Sequence, residues 1–230
     1  MSNNNKTIQK NRVMGYFVNA ADEILSSPGA EPITARNVAT RAGYNVATLY
    51  NYFSNLNHLV LFTSVKYLHA YAKDLFLLVQ SNLKPADYYV SAWELFCRHS
   101  FENPDKFHSI FFGEFSNEVV ADTIKTCSEV FTESSNDNFI DYIPLLKLSD
   151  LYERDLLVLK DLTKENPSLN EEDTLKISQM IILIYQSMIY NLMSEKCNYT
   201  KEEALNKMMN YIVQILYSYD LLEVNKYEEL

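Results

Sequence analysis

Residues 33–53 read Ile33-Thr34-Ala35-Arg36-Asn37-Val38-Ala39-Thr40-Arg41-Ala42-Gly43-Tyr44-Asn45-Val46-Ala47-Thr48-Leu49-Tyr50-Asn51-Tyr52-Phe53. Thr34 can accept a bond from a free backbone N–H as the N-cap of a short helix, on which Val38, Ala39 and Ala42 make a small buried face. Gly43 ends that helix, because a tight turn needs a residue that tolerates positive φ. Asn45 caps the next helix at once. Its Val46, Leu49 and Phe53 recur at three- and four-residue steps and point inward, leaving Ala47, Thr48, Tyr50, Asn51 and Tyr52 outward. Two short helices crossing at a small residue, Ala39, and joined at Gly43 form a helix-turn-helix. The outward tyrosines, threonine and asparagine are hydrogen-bonding groups suited to phosphates and base edges.

Working outward, Ile8, Val13, Phe17, Ala20, Ala21, Ile24 and Leu25 describe an amphipathic helix over about residues 6–27, ended by Pro28-Gly29. The run Ile33-Thr34-(x)3-Val38-Ala39-(x)2-Ala42-Gly43-Tyr44-Asn45-(x)2-Thr48-Leu49-Tyr50-Asn51-Tyr52-Phe53 is similar to the signature of the TetR (tetracycline-repressor-like) family of bacterial transcriptional regulators. The likeness covers about residues 10–66. It implies that Thr48 and Tyr50 enter the major groove and that Tyr52 touches phosphate. Residues at the starts of the second and fourth helices clamp the backbone in that family. Carried over position by position, DNA-binding roles fall on Thr34, Arg36, Asn45, Thr48, Tyr50, Asn51 and Tyr52. Many relatives have Lys and an acidic residue where this chain has Leu56 and Asn57. Loss of that cation predicts weaker and less salt-sensitive DNA binding, since phosphate contacts supply much of the affinity.

Charge is divided along the chain. The formal net charge is −10, which taken globally opposes a polyanionic partner. Residues 1–60, however, hold five Lys or Arg against three acids, whereas residues 61–230 hold 15 against 27. A small reader on an acidic body is the organisation this predicts, with a boundary at residues 1–54 and 55–230. With 47% hydrophobic residues and only four Gly and six Pro, the chain can bury a large core with few helix breaks. The expected fold class is all-α. Cys97, Cys127 and Cys197 are odd in number and widely spaced, so neither a disulfide framework nor a zinc site is signalled. Residues 1–20 lack the apolar run of a secretory signal, and Met180 to Met193 falls short of a membrane span. A cytoplasmic protein without membrane contact is expected.

In the body, a linking helix is expected unbroken over about 55–81, then one over 86–101 presenting Tyr89, Trp93 and Phe96, and another opened by Asn103-Pro104-Asp105. Helices are further expected over 117–134 and 140–164, separated by a polar loop at 133–138. The Asn-Pro-x-x-Phe arrangement also resembles the family, in which these helices wall a ligand pocket. Candidate effector-binding residues are Tyr89, Trp93, Phe96, Phe111, Phe115 and Tyr185, because rings supply rigid apolar area. His99 and His108 are read as ordinary polar residues, and no metal or cofactor is assigned. Two long helices close the chain, capped by Asn170 and by the box Thr200-Lys201-Glu202-Glu203. Ile182, Leu183, Ile189, Tyr190, Tyr211 and Val213 extend their apolar character to a second face, and the resemblance implies a homodimer through residues 170–222.

The combined expectation is a ligand-responsive repressor. It binds a palindromic double-stranded DNA operator as a homodimer and is released by a small hydrophobic or aromatic effector. The alternative is a TetR-like protein that acts mainly through a protein partner. No GxSxG, Gly-rich phosphate loop, HExxH or Cys-His metal spacing supports an enzyme.

Overall fold

The protein is described by a computed structural model covering residues 2–26, 32–131, 148–164, 166–194 and 196–222. Every regular element among them is an α-helix. They are α1 (Ser2–Leu25), α2 (Ala35–Ala42), α3 (Val46–Tyr50), α4 (Leu56–Val65), α5 (Leu68–Val79), α6 (Pro85–Glu102), α7 (Pro104–Phe112), α8 (Asn117–Phe131), α9 (Leu151–Thr163), α10 (Glu171–Leu192) and α11 (Lys201–Ser218).

Local capping sets most boundaries. Thr34, Asn45 and Asn55 each accept a bond from the backbone N–H three residues on, satisfying a donor that a helix start leaves free. Gly43 sits at φ 78°, and Tyr44 N–H donates to Ala39 O at 2.9 Å, which closes α2 in a left-handed turn. Both closing helices open with reciprocal capping boxes, Asn170 with Asp173 and Thr200 with Glu203. α1 begins earlier than its apolar pattern, at Ser2, because no Pro or Gly precedes Gly15 to stop it.

Two expected helices differ from the structure. The linking helix is broken at Lys66-Tyr67 into α4 and α5. There, Tyr67 N–H donates to Ser64 O and His69 N–H to Lys66 O, three-residue closures tighter than α-helix. Thr63 and Ser64 bond back to the carbonyls of Leu59 and Val60, a contact that bends helices. α9 starts at Leu151 rather than near 140, because Asp150 Oδ1 accepts the N–H groups of Tyr152 and Glu153 at 2.7 and 3.2 Å and so caps it there. The expected loop at 133–138 and the rest of that expected helix up to residue 147 lie outside the described residues.

α1, α2 and α3 form the reader around Phe17, Val38, Leu49 and Phe53, all buried. Its core continues into the body: Phe53 meets Phe62 of α4 edge-on, with centroids 5.3 Å apart, and α1 also lies on α8. In the body, α6 packs on α5, α9 and α11, while α10 lies against α7, α9 and α11. That crowding around α10 narrows the expected second face. Ile182 and Ile189 are fully buried within the chain, as is nearly all of Val213, whereas Leu183 and Tyr190 are 57% and 63% exposed.

Candidate nucleic-acid interface and buried cavity

On the reader, Thr34, Arg36, Asn45, Tyr50 and Asn51 stand exposed on one module, and Thr48 is half-buried. Asn45 holds Thr48 twice, its Oδ1 accepting from the Thr48 N–H at 2.8 Å and from the hydroxyl at 3.0 Å. The cap therefore also orients a side chain of the candidate contact surface. Tyr50 is 48% exposed. Tyr52 departs from its expected outward position: it is half-buried, with its ring centroid 6.3 Å from that of Phe17. The reason is that α3 ends at Tyr50. Asn51 and Tyr52 close three-residue turns onto Thr48 and Leu49, which rotates Tyr52 away from its helical position.

Leu56, where many relatives carry a cation, is half-buried and packs on the core. Asn57 donates to Glu114 Oε1 at 2.7 Å, tying the start of α4 to the segment after α7. His58 beside it has its pKa lowered, chiefly by burial, and Phe115 lies 6.2 Å from its ring.

The break between α4 and α5 is fastened to α1. Lys66 Nζ lies 3.0 Å from Asp22 Oδ2, and the Tyr67 hydroxyl donates to Asp22 Oδ1 at 2.7 Å. One reader carboxylate is thus occupied at both oxygens by two consecutive residues of the joint. Burial first, and then the bond to Asp22, raises the Tyr67 pKa. Lys106 of α7, almost wholly buried, sits 5.9 Å from the Tyr67 ring centre and pairs with Asp105 at 2.7 Å.

One turn beyond the joint, Tyr71 enters the wall of a cavity of about 40 Å³. α6 contributes Tyr89, Ala92, Trp93 and Phe96, and α9 contributes Leu151, Arg154, Asp155 and Val158. Asp155 is 5% exposed, and its Oδ1 accepts from the Tyr89 hydroxyl at 2.7 Å and from Trp93 Nε1 at 2.9 Å. Its Oδ2 has no hydrogen-bond partner of good geometry, although Ser178 of α10 lies beside it. Burial pushes the Asp155 carboxyl up to about 6, against the pull of its neighbouring donors. The Arg154 Nε–H donates to Leu148 O, and its guanidinium lies 4.8 Å from the centre of the Phe111 ring. Burial lowers the Arg154 pKa to about 10.

Of the ring residues expected to meet a ligand, Tyr89, Trp93 and Phe96 line this cavity. Phe111 and Tyr185 stand behind that wall, 5.6 and 5.2 Å from Phe96. Phe115 is away from it, against His58. Tyr71, Arg154 and Asp155 were missed. A signal existed for two of them: Arg154 and Asp155 occupy the helical positions between Leu151 and Leu159 where an apolar stripe should continue. His99 pairs with Asp74 at 2.8 Å. No group of three or more metal-ligating side chains converges among the described residues, and none of their helices is long and apolar enough to cross a membrane.

Residues 17–61 match the family described as bacterial regulatory proteins, tetR family. No curated protein matches the chain. Among solved structures, the chain is similar to FadR of Thermus thermophilus, a TetR-family transcriptional repressor crystallised with lauroyl-CoA. The two are 12% identical, with a TM-score of 0.56, over 94% of this chain and 98% of that one. A transcriptional regulator from Rhodococcus sp. Rha1 is 13% identical, with a TM-score of 0.44, over 89% of this chain and 96% of that one. Residues 17–61 thus match the DNA-binding reader of the tetR-family regulators, and the helical body behind that reader shares its fold with FadR.

Proposed function

We propose that the protein is a ligand-responsive repressor that binds a palindromic operator as a homodimer and lets go when a small molecule enters the α5–α6–α9 cavity. The observation that carries this is the continuity from cavity to reader. Tyr71 forms part of the cavity wall, and one turn earlier the same segment is bonded through Lys66 and Tyr67 to Asp22 of α1. A ligand that displaces Tyr71 pulls on the joint and, through Asp22, on the helix that carries the reader. Coupling of this kind amounts to about 1–3 kcal/mol, or roughly a 5- to 150-fold change in DNA affinity.

Thr48, Tyr50 and Asn51 are the groups we assign to the major groove, with Thr34, Arg36, Asn45 and Tyr52 at the phosphates. Two such readers about 34–36 Å apart meet successive major grooves, which calls for a dimer. The exposed Leu183 and Tyr190 of α10 and Tyr211 of α11 supply apolar surface for it, within the 170–222 segment.

The test is binding of purified protein to the DNA immediately upstream of its own gene across a salt series. Saturable dimer binding that weakens as salt rises is expected, and Tyr50→Ala should lower affinity by roughly 5- to 150-fold, as for loss of a base contact of about 1–3 kcal/mol. No binding at low salt would instead favour action through a protein partner, in keeping with the packed Leu56 that stands where relatives have a cation.

A further inference from the structure

We propose that the cavity selects a neutral aromatic ligand bearing one hydrogen-bond donor, a phenol-like molecule, which it anchors through Asp155 Oδ2. This rests on reading the cavity as the effector site, and it names the chemistry of that ligand.

Three observations carry it. Four rings, Tyr71, Tyr89, Trp93 and Phe96, stand in the wall beside the aliphatic Ala92, Leu151 and Val158, so the favoured occupant is flat and apolar. One polar acceptor keeps bonding capacity: Tyr89 and Trp93 both spend their donors on Asp155 Oδ1, while Oδ2, at a residue 5% exposed, has only the Ser178 hydroxyl beside it and receives no bond of good geometry. A buried acceptor in that condition favours any guest that brings a donor. Net charge then decides the rest. Arg154 and Asp155 face the same cavity, so a cationic guest would be buried beside a guanidinium and an anionic one beside a carboxylate. A neutral donor meets neither penalty.

The size of the cavity also says which wall yields. A benzene-sized guest needs about 150 Å³, against about 40 Å³ here. α6 and α9 are clamped together by the two buried bonds to Asp155. α5 is held to α6 by Tyr71 packing on Phe96 and by the His99–Asp74 pair, whose carboxylate is 47% exposed. Tyr71 is therefore the wall that moves, and it is the one attached to the joint.

Trp93 is the chain's single tryptophan and its indole bonds Asp155, so its fluorescence reports the site directly. Full-length protein would be titrated with phenol, toluene, benzylammonium and benzoate, exciting at the red edge of tryptophan absorption. Phenol should perturb Trp93 saturably and bind about 10- to 100-fold more tightly than toluene, as expected for one hydrogen bond to a charged acceptor. Benzylammonium and benzoate should bind more weakly than phenol. Asp155→Asn should remove most of the advantage of phenol over toluene, with far-ultraviolet circular dichroism confirming that the variant is folded. Equal binding of phenol and toluene to the wild type would overturn the anchor. Preference for benzylammonium or benzoate would overturn the neutral class, and silence from all four probes would overturn the site. Phenol that binds without loosening operator DNA would leave this inference standing and sink the repressor reading.

Discussion

The reader and the body use polar side chains in opposite ways. On the helix-turn-helix and at the start of α4 the capping groups are exposed, and their bonds are local: Thr34 to Asn37, Asn45 to Thr48 and Asn55 to His58 each span three residues. In the body the decisive polar groups are buried and bridge distant segments, as when Tyr89 and Trp93 reach Asp155 across 66 and 62 residues. A surface built by caps is free to meet a large external partner. A buried, incompletely paired carboxylate suits a small guest that must be desolvated to enter.

The hardest blow to this contrast would come from the core that the two regions share. Phe53 is buried between Phe17, His58 and Phe62. Phe53→Ala should cost about 3–5 kcal/mol and loosen reader and α4 together, seen as joint loss of amide protection in α1–α4 by hydrogen exchange. Loss confined to α2 and α3 would show that the reader stands alone.

The buried carboxylate gives the next largest effect. Asp155 has a folded pKa of about 6 against 3.8 when unperturbed, so the folded state binds its proton more tightly. The stability this contributes is fully present below pH 3.8 and is lost as pH rises through about 6, a difference of about 3 kcal/mol. Asp155→Asn should therefore subtract that decline. Relative to the variant, wild type should lose about 2 kcal/mol between pH 4 and 7, read from urea midpoints at each pH.

At the joint, Tyr67→Phe deletes the hydroxyl that reaches Asp22 from a half-buried position. It should cost about 1 kcal/mol of stability. Its sharper expected consequence is a weakened effector response with operator affinity in the absence of effector kept within about threefold, roughly 0.6 kcal/mol. Unchanged release by effector would remove the joint from the signal path. The smallest effect lies where α1 rests on α8. A Cβ added at Gly15 would stand 3.9 Å from Val130 Cγ1, an ordinary contact. Gly15→Ala should then raise stability by about 0.5–1 kcal/mol in thermal unfolding, by lowering the entropy of the unfolded chain.

Legibility followed the range of the interactions. The caps at Thr34, Asn45, Asn170 and Thr200 could be read because cap and capped N–H lie within one turn of each other. Tyr52 could not, since whether α3 continues past Tyr50 depends on packing against Phe17 rather than on its own spacing. The break at Lys66-Tyr67 escaped for the same reason: no Gly or Pro marks it, and its anchor, Asp22, is 44 and 45 residues away. Tyr89, Trp93 and Phe96 were visible as a ring stripe, but their partner on α9 was not.

By itself, the sequence determined the all-helical class, the helix-turn-helix at 33–53, the caps and the charge division between reader and body, because each depends on spacing within a few residues or on composition. Tertiary structure alone decided that Ile182, Ile189 and Val213 are core rather than partner surface. It also decided that Phe115 packs against His58 at the start of α4 and that Asp155 lines a cavity whose wall includes Tyr71, one turn from the joint. Burial and pairing of that kind arise only when segments far apart in the chain exclude water together, and no local pattern encodes which segments will meet.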